Sequence, residues 1–227
     1  MCGRYVLAGD PATYADFFGA LPAPTEALEP SYNVAPTDPV YAVAEWNDER
    51  LIGQMRWGLI PHWAKEAKKP AINARIETAA TAPMFRDSFS RKRCLIPADG
   101  FYEWEPKDRG RAPHWFYRAD GFPLALAGIW STWKDPETGV LTRTCAIITT
   151  ASRGVVTPVH TRMPFALDQS AWASWLDRTL TDGAEVEALM TPLDADILME
   201  HEVSTTVNNV RNNGASLTDP AGGTLDP

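Results

Sequence analysis

Arg93-Cys94-Leu95-Ile96-Pro97-Ala98-Asp99-Gly100-Phe101-Tyr102-Glu103-Trp104 is the stretch around which this chain is read. Arg93 to Pro97 has the composition of a buried strand, and Phe101 to Trp104 reads as the next one. Strand alternation puts Glu103 on the face of Phe101, with Tyr102 and Trp104 pointing the other way. Two readings of Glu103 follow. A carboxyl between aromatic rings is poorly solvated, is pushed toward its protonated form and suits general acid work; a glutamate on an edge strand simply sits in water.

Working outward, His114 to Arg118, Leu124 to Trp130 and Arg143 to Thr150 continue the strand pattern, with turn chemistry at Asp120-Gly121 and from Asp135 to Gly139. Upstream, Val40 to Trp46 and Leu51 to Trp57 predict a hairpin across Asn47-Asp48-Glu49-Arg50. Arg4 to Ala8 predicts a short strand, and Val203 to Val207 a last one before the turn Asn208 to Gly214. Helices are predicted after Asp10-Pro11, with Tyr14, Phe17, Phe18 and Leu21 as one apolar face, and over Ala79 to Ser90. Two more are predicted after Asp168, carrying Trp172, Trp175 and Leu176, and around Val186, Leu189 and Met190. There is no internal repeat and no mid-chain linker, so one domain is expected. Residues 215–227, rich in Gly, Pro and Asp toward the end, are expected to form a disordered tail.

A hydrophobic share of 44% with 22% charged residues belongs to a globular protein. No apolar run approaches the roughly 20 residues that span a bilayer, and the first residues lack the basic-then-apolar order of a signal peptide. Three cysteines without a CxxC spacing fit neither a disulfide framework nor a zinc site. A cytoplasmic protein without metal or cofactor is therefore expected. The net charge of −8 argues against coating nucleic acid, yet Arg56 to Arg93 holds nine basic and three acidic residues, a window of +6. This is either a solvated charged loop and helix or a local seat for a polyanion on an acidic body. Trp63 lies beside Lys65, Lys68 and Lys69, a combination that stacks on bases while neutralising phosphates, although a lone tryptophan more often plugs a core.

Cys2 follows the initiator methionine directly. Aminopeptidases remove Met1 readily before a small residue, and removal would leave Cys2 with both an α-amine and a thiol. The amine titrates at about 7.7–8.0 and a thiol near 8.5, so both nucleophiles are accessible at neutral pH. The amine can attack an aldehyde to give an imine, and the thiol can close onto the same carbon as a thiazolidine. The competing reading is a frayed terminus. Asn73-Ala74-Arg75-Ile76-Glu77-Thr78 precedes a predicted helix and can face an anion. His160 and Arg162, in Val159-His160-Thr161-Arg162-Met163-Pro164, combine a proton carrier with a cation. His114 and His201 read as structural.

Taken together, Met1 to Tyr5, Tyr32 to Pro36, Arg56 to Pro61, Asn73 to Thr78, Gly100 to Trp104 and His160 to Pro164 resemble, in the same order, the motifs of the SOS response-associated peptidase family. The likeness runs from residue 2 to about residue 214. It implies a single α+β domain rich in antiparallel strands with flanking helices, and covalent capture of abasic sites in single-stranded DNA; a monomer is expected separately. Cys2 is then the crosslinking nucleophile, Asn73 holds the opened sugar, Glu103 is the acid/base and His160 shuttles protons. Arg4, Asn33, Pro36, Arg75 and Arg162 match positions that contact phosphates or line the pocket. Trp63 and Met84 match a wedge at a single-strand/double-strand junction. Ser204 to Val207 lacks a basic residue often found there. A cysteine peptidase, which needs the thiol but not the amine, and a non-catalytic single-strand binder are the rival readings.

Overall fold

Strand pairing in the computed structural model, which describes residues 2–22 and 26–222, closes one sheet on itself. Met1, whose removal the sequence reading requires, lies outside the described residues, as do residues 223–227 of the expected tail. The chain runs β1 (Tyr5–Leu7), α1 (Pro11–Phe18), β2 (Leu21–Pro22), β3 (Ser31–Val34), β4 (Pro39–Trp46), β5 (Glu49–Trp57), β6 (Asn73–Arg75), α2 (Ile76–Ala79) and α3 (Arg86–Arg91). It continues through β7 (Arg93–Ala98), β8 (Gly100–Pro106), β9 (Arg111–Arg118), β10 (Leu124–Lys134), β11 (Leu141–Ala151), β12 (Arg162–Pro164), α4 (Trp172–Leu176), α5 (Gly183–Ala188) and β13 (Leu198–Glu202).

The larger sheet has the order β12-β11-β10-β7-β4-β5-β2, and a parallel pairing of β5 with β11 at Arg56–Thr144 and Trp57–Cys145 joins its two sides into a small barrel. The predicted hairpin is β4–β5. Asn47 and Asp48 have φ of 50° and 63°, the pair of left-handed residues that a two-residue turn between twisted strands demands. A second sheet, β13-β9-β8-β1-β3, lies against the barrel. Its inner face sends Tyr5, Leu7, Phe101 and Phe116 into the main core. Its outer face carries Val6, Tyr102 and Trp115, covered by Val203, Val207 and Leu217. Gly100 opens β8 because a Cβ there would stand 2.3 Å from Phe116 O and 2.4 Å from the Trp115 ring. Bare backbone lets β8, and with it Glu103, lie close to β9.

The α+β class, rich in antiparallel strands, holds. Several local expectations do not. The helix expected over residues 79–90 is two short ones, α2 and α3, because Pro83 has no N–H to donate and restricts the residue before it. Helix α1 begins as expected, with the Asp10 carboxylate accepting from Ala12 N, but ends at Gly19 in the left-handed conformation. Leu21 therefore leaves the apolar stripe and is exposed. The last strand is β13, five residues earlier than expected; Thr205–Asn208 form a 3₁₀ turn. Order also continues past residue 214. Ala215–Thr218 form another such turn, and Leu217 is buried in the outer cluster. One large apolar side chain, worth about 1.5–3 kcal/mol on burial, outweighs a polar composition. No described helix is long and apolar enough to cross a membrane.

Candidate active site

Cys2, just ahead of β1, is fully buried, and its carbonyl accepts a hydrogen bond from Asn73 Nδ2 at 2.8 Å. Asn73 starts β6, which pairs in parallel with β11 at Ile147. Asn73 Oδ1 is buried and has no hydrogen-bond partner among the described residues, an acceptor open to a ligand hydroxyl. Burial pushes the Cys2 thiol well above its ordinary range, and the Glu103 carboxylate adds to the effect. In the folded protein the sulfur is therefore a thiol, and an N-terminal amine would be the readier first nucleophile.

Of the two readings of Glu103, the buried acid is correct. The residue is 3% exposed on β8 beside Phe101, facing the main core. Burial holds its carboxyl above the usual carboxylate range, opposed in part by the charge of His160. His160 Nε2 lies 3.9 Å from Glu103 Oε2. On its other side, His160 Nδ1 is 2.9 Å from Arg162 N and 3.0 Å from Arg162 O. A neutral ring accepts the Arg162 N–H and keeps its proton on Nε2, toward Glu103. A charged ring donates from Nδ1 to the carbonyl instead, so His160 can gain or lose a proton without moving.

The structure brings Cys2, Asn73, Glu103 and His160 into one linked group; it places the proposed DNA contacts around it in different ways. Arg75, at the end of β6, is exposed. Arg162, at the start of β12, gives both terminal nitrogens to Glu77, at 2.5 Å and 3.0 Å, and one also to Thr149 O at 2.7 Å. Arg4 Nη1 donates to Asn33 Oδ1 at 2.7 Å and to Val207 O at 2.9 Å. Asn33 is buried, and its amide reaches the carbonyls of Val207, Asn209 and Asn212 at 3.0–3.2 Å. Asn33 thus fastens the 205–213 segment to β3, and the edge without a basic side chain supplies carbonyls to Arg4. Pro36 is half-buried next to Thr37, whose φ of 82° is strained for a β-branched residue. Trp63, more than half exposed, shares with Met84, Lys68, Lys69 and Pro61 a groove of about 440 Å³. Trp63 is not a core plug. In the basic window, by contrast, Arg93 is buried, so the surface charge is less than the sequence count, which already sets Glu66 against Lys68, its partner at 2.6 Å. Sequence reading assigned no role to Glu77 or Thr149; only the pairing of β11 with β6 and β12 shows their common partner, Arg162.

Asn33→Ala is expected to lower stability by about 1–3 kcal/mol, since it strands buried carbonyls and frees Arg4. The shift in the urea midpoint measures it; a change under about 0.5 kcal/mol would mean that the segment is held by Val207 alone.

A family model described as SOS response associated peptidase (SRAP) matches residues 1–210. The chain belongs to the SRAP family. Among SRAP relatives, "Abasic site processing protein YoqW" of Bacillus subtilis (strain 168) is 37% identical, covering 96% of this chain and 98% of that protein. "Abasic site processing protein YedK" of Escherichia coli (strain K12) is 33% identical, over 97% and 100%. "Abasic site processing protein HMCES" of Xenopus tropicalis is 31% identical, over 94% and 76%. A crystal structure of a Bacteroides thetaiotaomicron protein superposes with a TM-score of 0.86 at 24% identity, over 97% of this chain and all of that one, a likeness of fold. The Cys2, Asn73, Glu103 and His160 group therefore sits inside the matched SRAP region, as does the Trp63 groove.

Proposed function

We propose that this SRAP protein recognises abasic sites in single-stranded DNA and captures them covalently through Cys2 once Met1 has been removed. The names of its relatives support the lesion, and one observation carries the chemistry: an amide is bonded to Cys2, and the buried carboxyl whose charge acts on its thiol has an imidazole 3.9 Å away. A passive binder has no use for that set. An abasic sugar equilibrates between a closed hemiacetal and a little open aldehyde. Protonated Glu103 gives a proton to the ring oxygen as the C–O bond breaks, and the carboxylate so formed takes up the proton leaving the anomeric hydroxyl, with His160 Nε2–H facing it. The Cys2 amine adds to the aldehyde carbon, water leaves, and an imine forms. The Cys2 thiol then adds across C=N, its proton passing to nitrogen, and closes the thiazolidine. The sum is aldehyde plus aminothiol giving thiazolidine and one water. Asn73, through its bond to Cys2 O and its open Oδ1, holds nucleophile and sugar together. Exposed Arg75 faces phosphates, whereas Arg162 is taken up by Glu77 and Thr149, and Trp63 and Met84 meet the bases at a single-strand/double-strand junction.

The test is a denaturing gel of mature protein incubated with single-stranded DNA carrying one abasic site. A shifted band with that DNA and none with intact DNA is expected; no shifted band overturns the proposal. The family's description as a peptidase favours a second reading, in which the Cys2 thiol attacks an amide. Acetylating the α-amine separates the two, since a thiol peptidase survives it and thiazolidine closure does not. Glu103→Gln is expected to slow crosslinking by about 10²–10⁴-fold, the usual share of general acid–base catalysis, with DNA affinity unchanged. Single-turnover rates check this, and an unaltered rate removes Glu103 from proton transfer.

A further inference from the structure

Glu77 has no part in the steps above, yet it makes the most directional ion pair beside them. Its two oxygens take Arg162 Nη1 and Nη2 at 2.5 Å and 3.0 Å, and Arg162 holds its carboxyl below the usual range. An exposed ion pair contributes little, but here the guanidinium side chain is only 17% exposed and is pinned from behind by Thr149, through O at 2.7 Å and Oγ1 at 3.3 Å. A fork gripped on two sides fixes a plane, not merely a charge. The same residue supplies, from its backbone N–H and carbonyl, both seats of His160 Nδ1. Arg162 is also the first residue of β12, a three-residue strand at the edge of its sheet, so its backbone is paired on the β11 side only, at Ala151.

We infer that Glu77 is a positioning residue: by clamping Arg162 it sets the ring and tautomer of His160 against Glu103, and so governs the rate of capture rather than the grip on DNA. This rests on the proposed function for its kinetic arm only. Removing Glu77 also removes a negative charge facing DNA, so affinity should not fall. With the clamp gone, the Arg162 backbone and the His160 ring drift together, and a misplacement near 1 Å can cost about a hundredfold in rate.

The experiment compares wild type, Glu77→Gln and Glu77→Ala. The crosslinking rate at saturating abasic DNA is expected to fall about tenfold for Gln, which keeps one oxygen acceptor, and toward a hundredfold for Ala. The half-saturating DNA concentration should stay within about twofold, well under one lost phosphate contact. The second arm uses ¹⁵N-histidine spectra of the three proteins on a Cys2→Ala background without DNA. His160 in the parent should give the distinct ring shifts of an Nε2–H tautomer, and Glu77→Ala should draw the two shifts together. An unchanged His160 tautomer, or weaker DNA binding at an unchanged maximal rate, overturns the inference. If the wild type itself gives no crosslink, the proposed function fails, and the tautomer spectra still decide the role of Glu77.

Discussion

Cys2→Ala protein with Met1 removed is expected to form no crosslink that survives heat and denaturant, a complete loss of the stable product, yet to be trapped on abasic DNA by borohydride. The variant keeps the α-amine and loses only the sulfur. It can therefore still condense with the aldehyde and release water, and hydride reduction of the C=N bond fixes that imine as a secondary amine. Without the thiol there is no ring closure, and hydrolysis returns aldehyde and amine. The burial that keeps the sulfur protonated makes this the informative variant, because it assigns the first bond to nitrogen and the lasting one to sulfur. A stable band without borohydride would show that sulfur is not needed. No band even with borohydride would remove the amine from the reaction.

Arg93→Met is expected to lower stability by about 3–5 kcal/mol, the range for stripping one partner from a buried charged network. Arg93 is 3% exposed, and its guanidinium satisfies backbone carbonyls at the ends of two helices and in the loop after the second. These are Trp175 O at 2.5 Å, Phe89 O at 2.8 Å, Ser90 O at 2.6 Å, Leu180 O at 3.0 Å, and Asp177 O. The carbonyls at a helix C-terminus have no partner within the helix, and this side chain caps α3 and α4 together. Burial brings its pKa down to about 10, so it remains charged at neutral pH. Methionine fills the space but donates nothing, and several carbonyls become orphans together. Arg93→Lys, with three donors for five carbonyls, should fall between. Urea unfolding measures all three proteins, and a loss below about 1 kcal/mol for Met would show that water replaces the guanidinium.

Arg93 also marks where the sequence could and could not be read. Arg93 to Pro97 was legible as a buried strand because apolar composition reports burial directly. Arg93 was also counted in the basic window, since nothing local shows that residues 175–180 return to line it with carbonyls. The face of Glu103 was legible through alternation with Phe101 while its burial stayed open, and the β4–β5 hairpin through the polar turn Asn47-Asp48-Glu49-Arg50, of which Glu49 and Arg50 belong to β5. The helix over 79–90 failed at Pro83, a breaker visible in the sequence and outweighed there by helical periodicity. Strand β13 was missed because Leu198-Met199-Glu200-His201-Glu202 is half charged; its order comes from pairing with β9 at the sheet edge. The candidate chemical residues were picked out by their motifs. The clamp on Arg162 and the fastening by Asn33 were not, because each joins segments that only the fold brings together.

That fastening has a consequence for how the molecule is made. Arg4 finds Val207 O across 203 positions, and Asn33 finds Asn212 O across 179. On a ribosome that emits the amino terminus first, this end waits while nearly all of the rest is synthesised. The bonds of Arg4 and Asn33 to the late segment can form only after the residues around 207–212 have emerged. They are among the last contacts the chain can make, and on the proposed function the removal of Met1 and the closing of this edge are separated in time by the direction of translation.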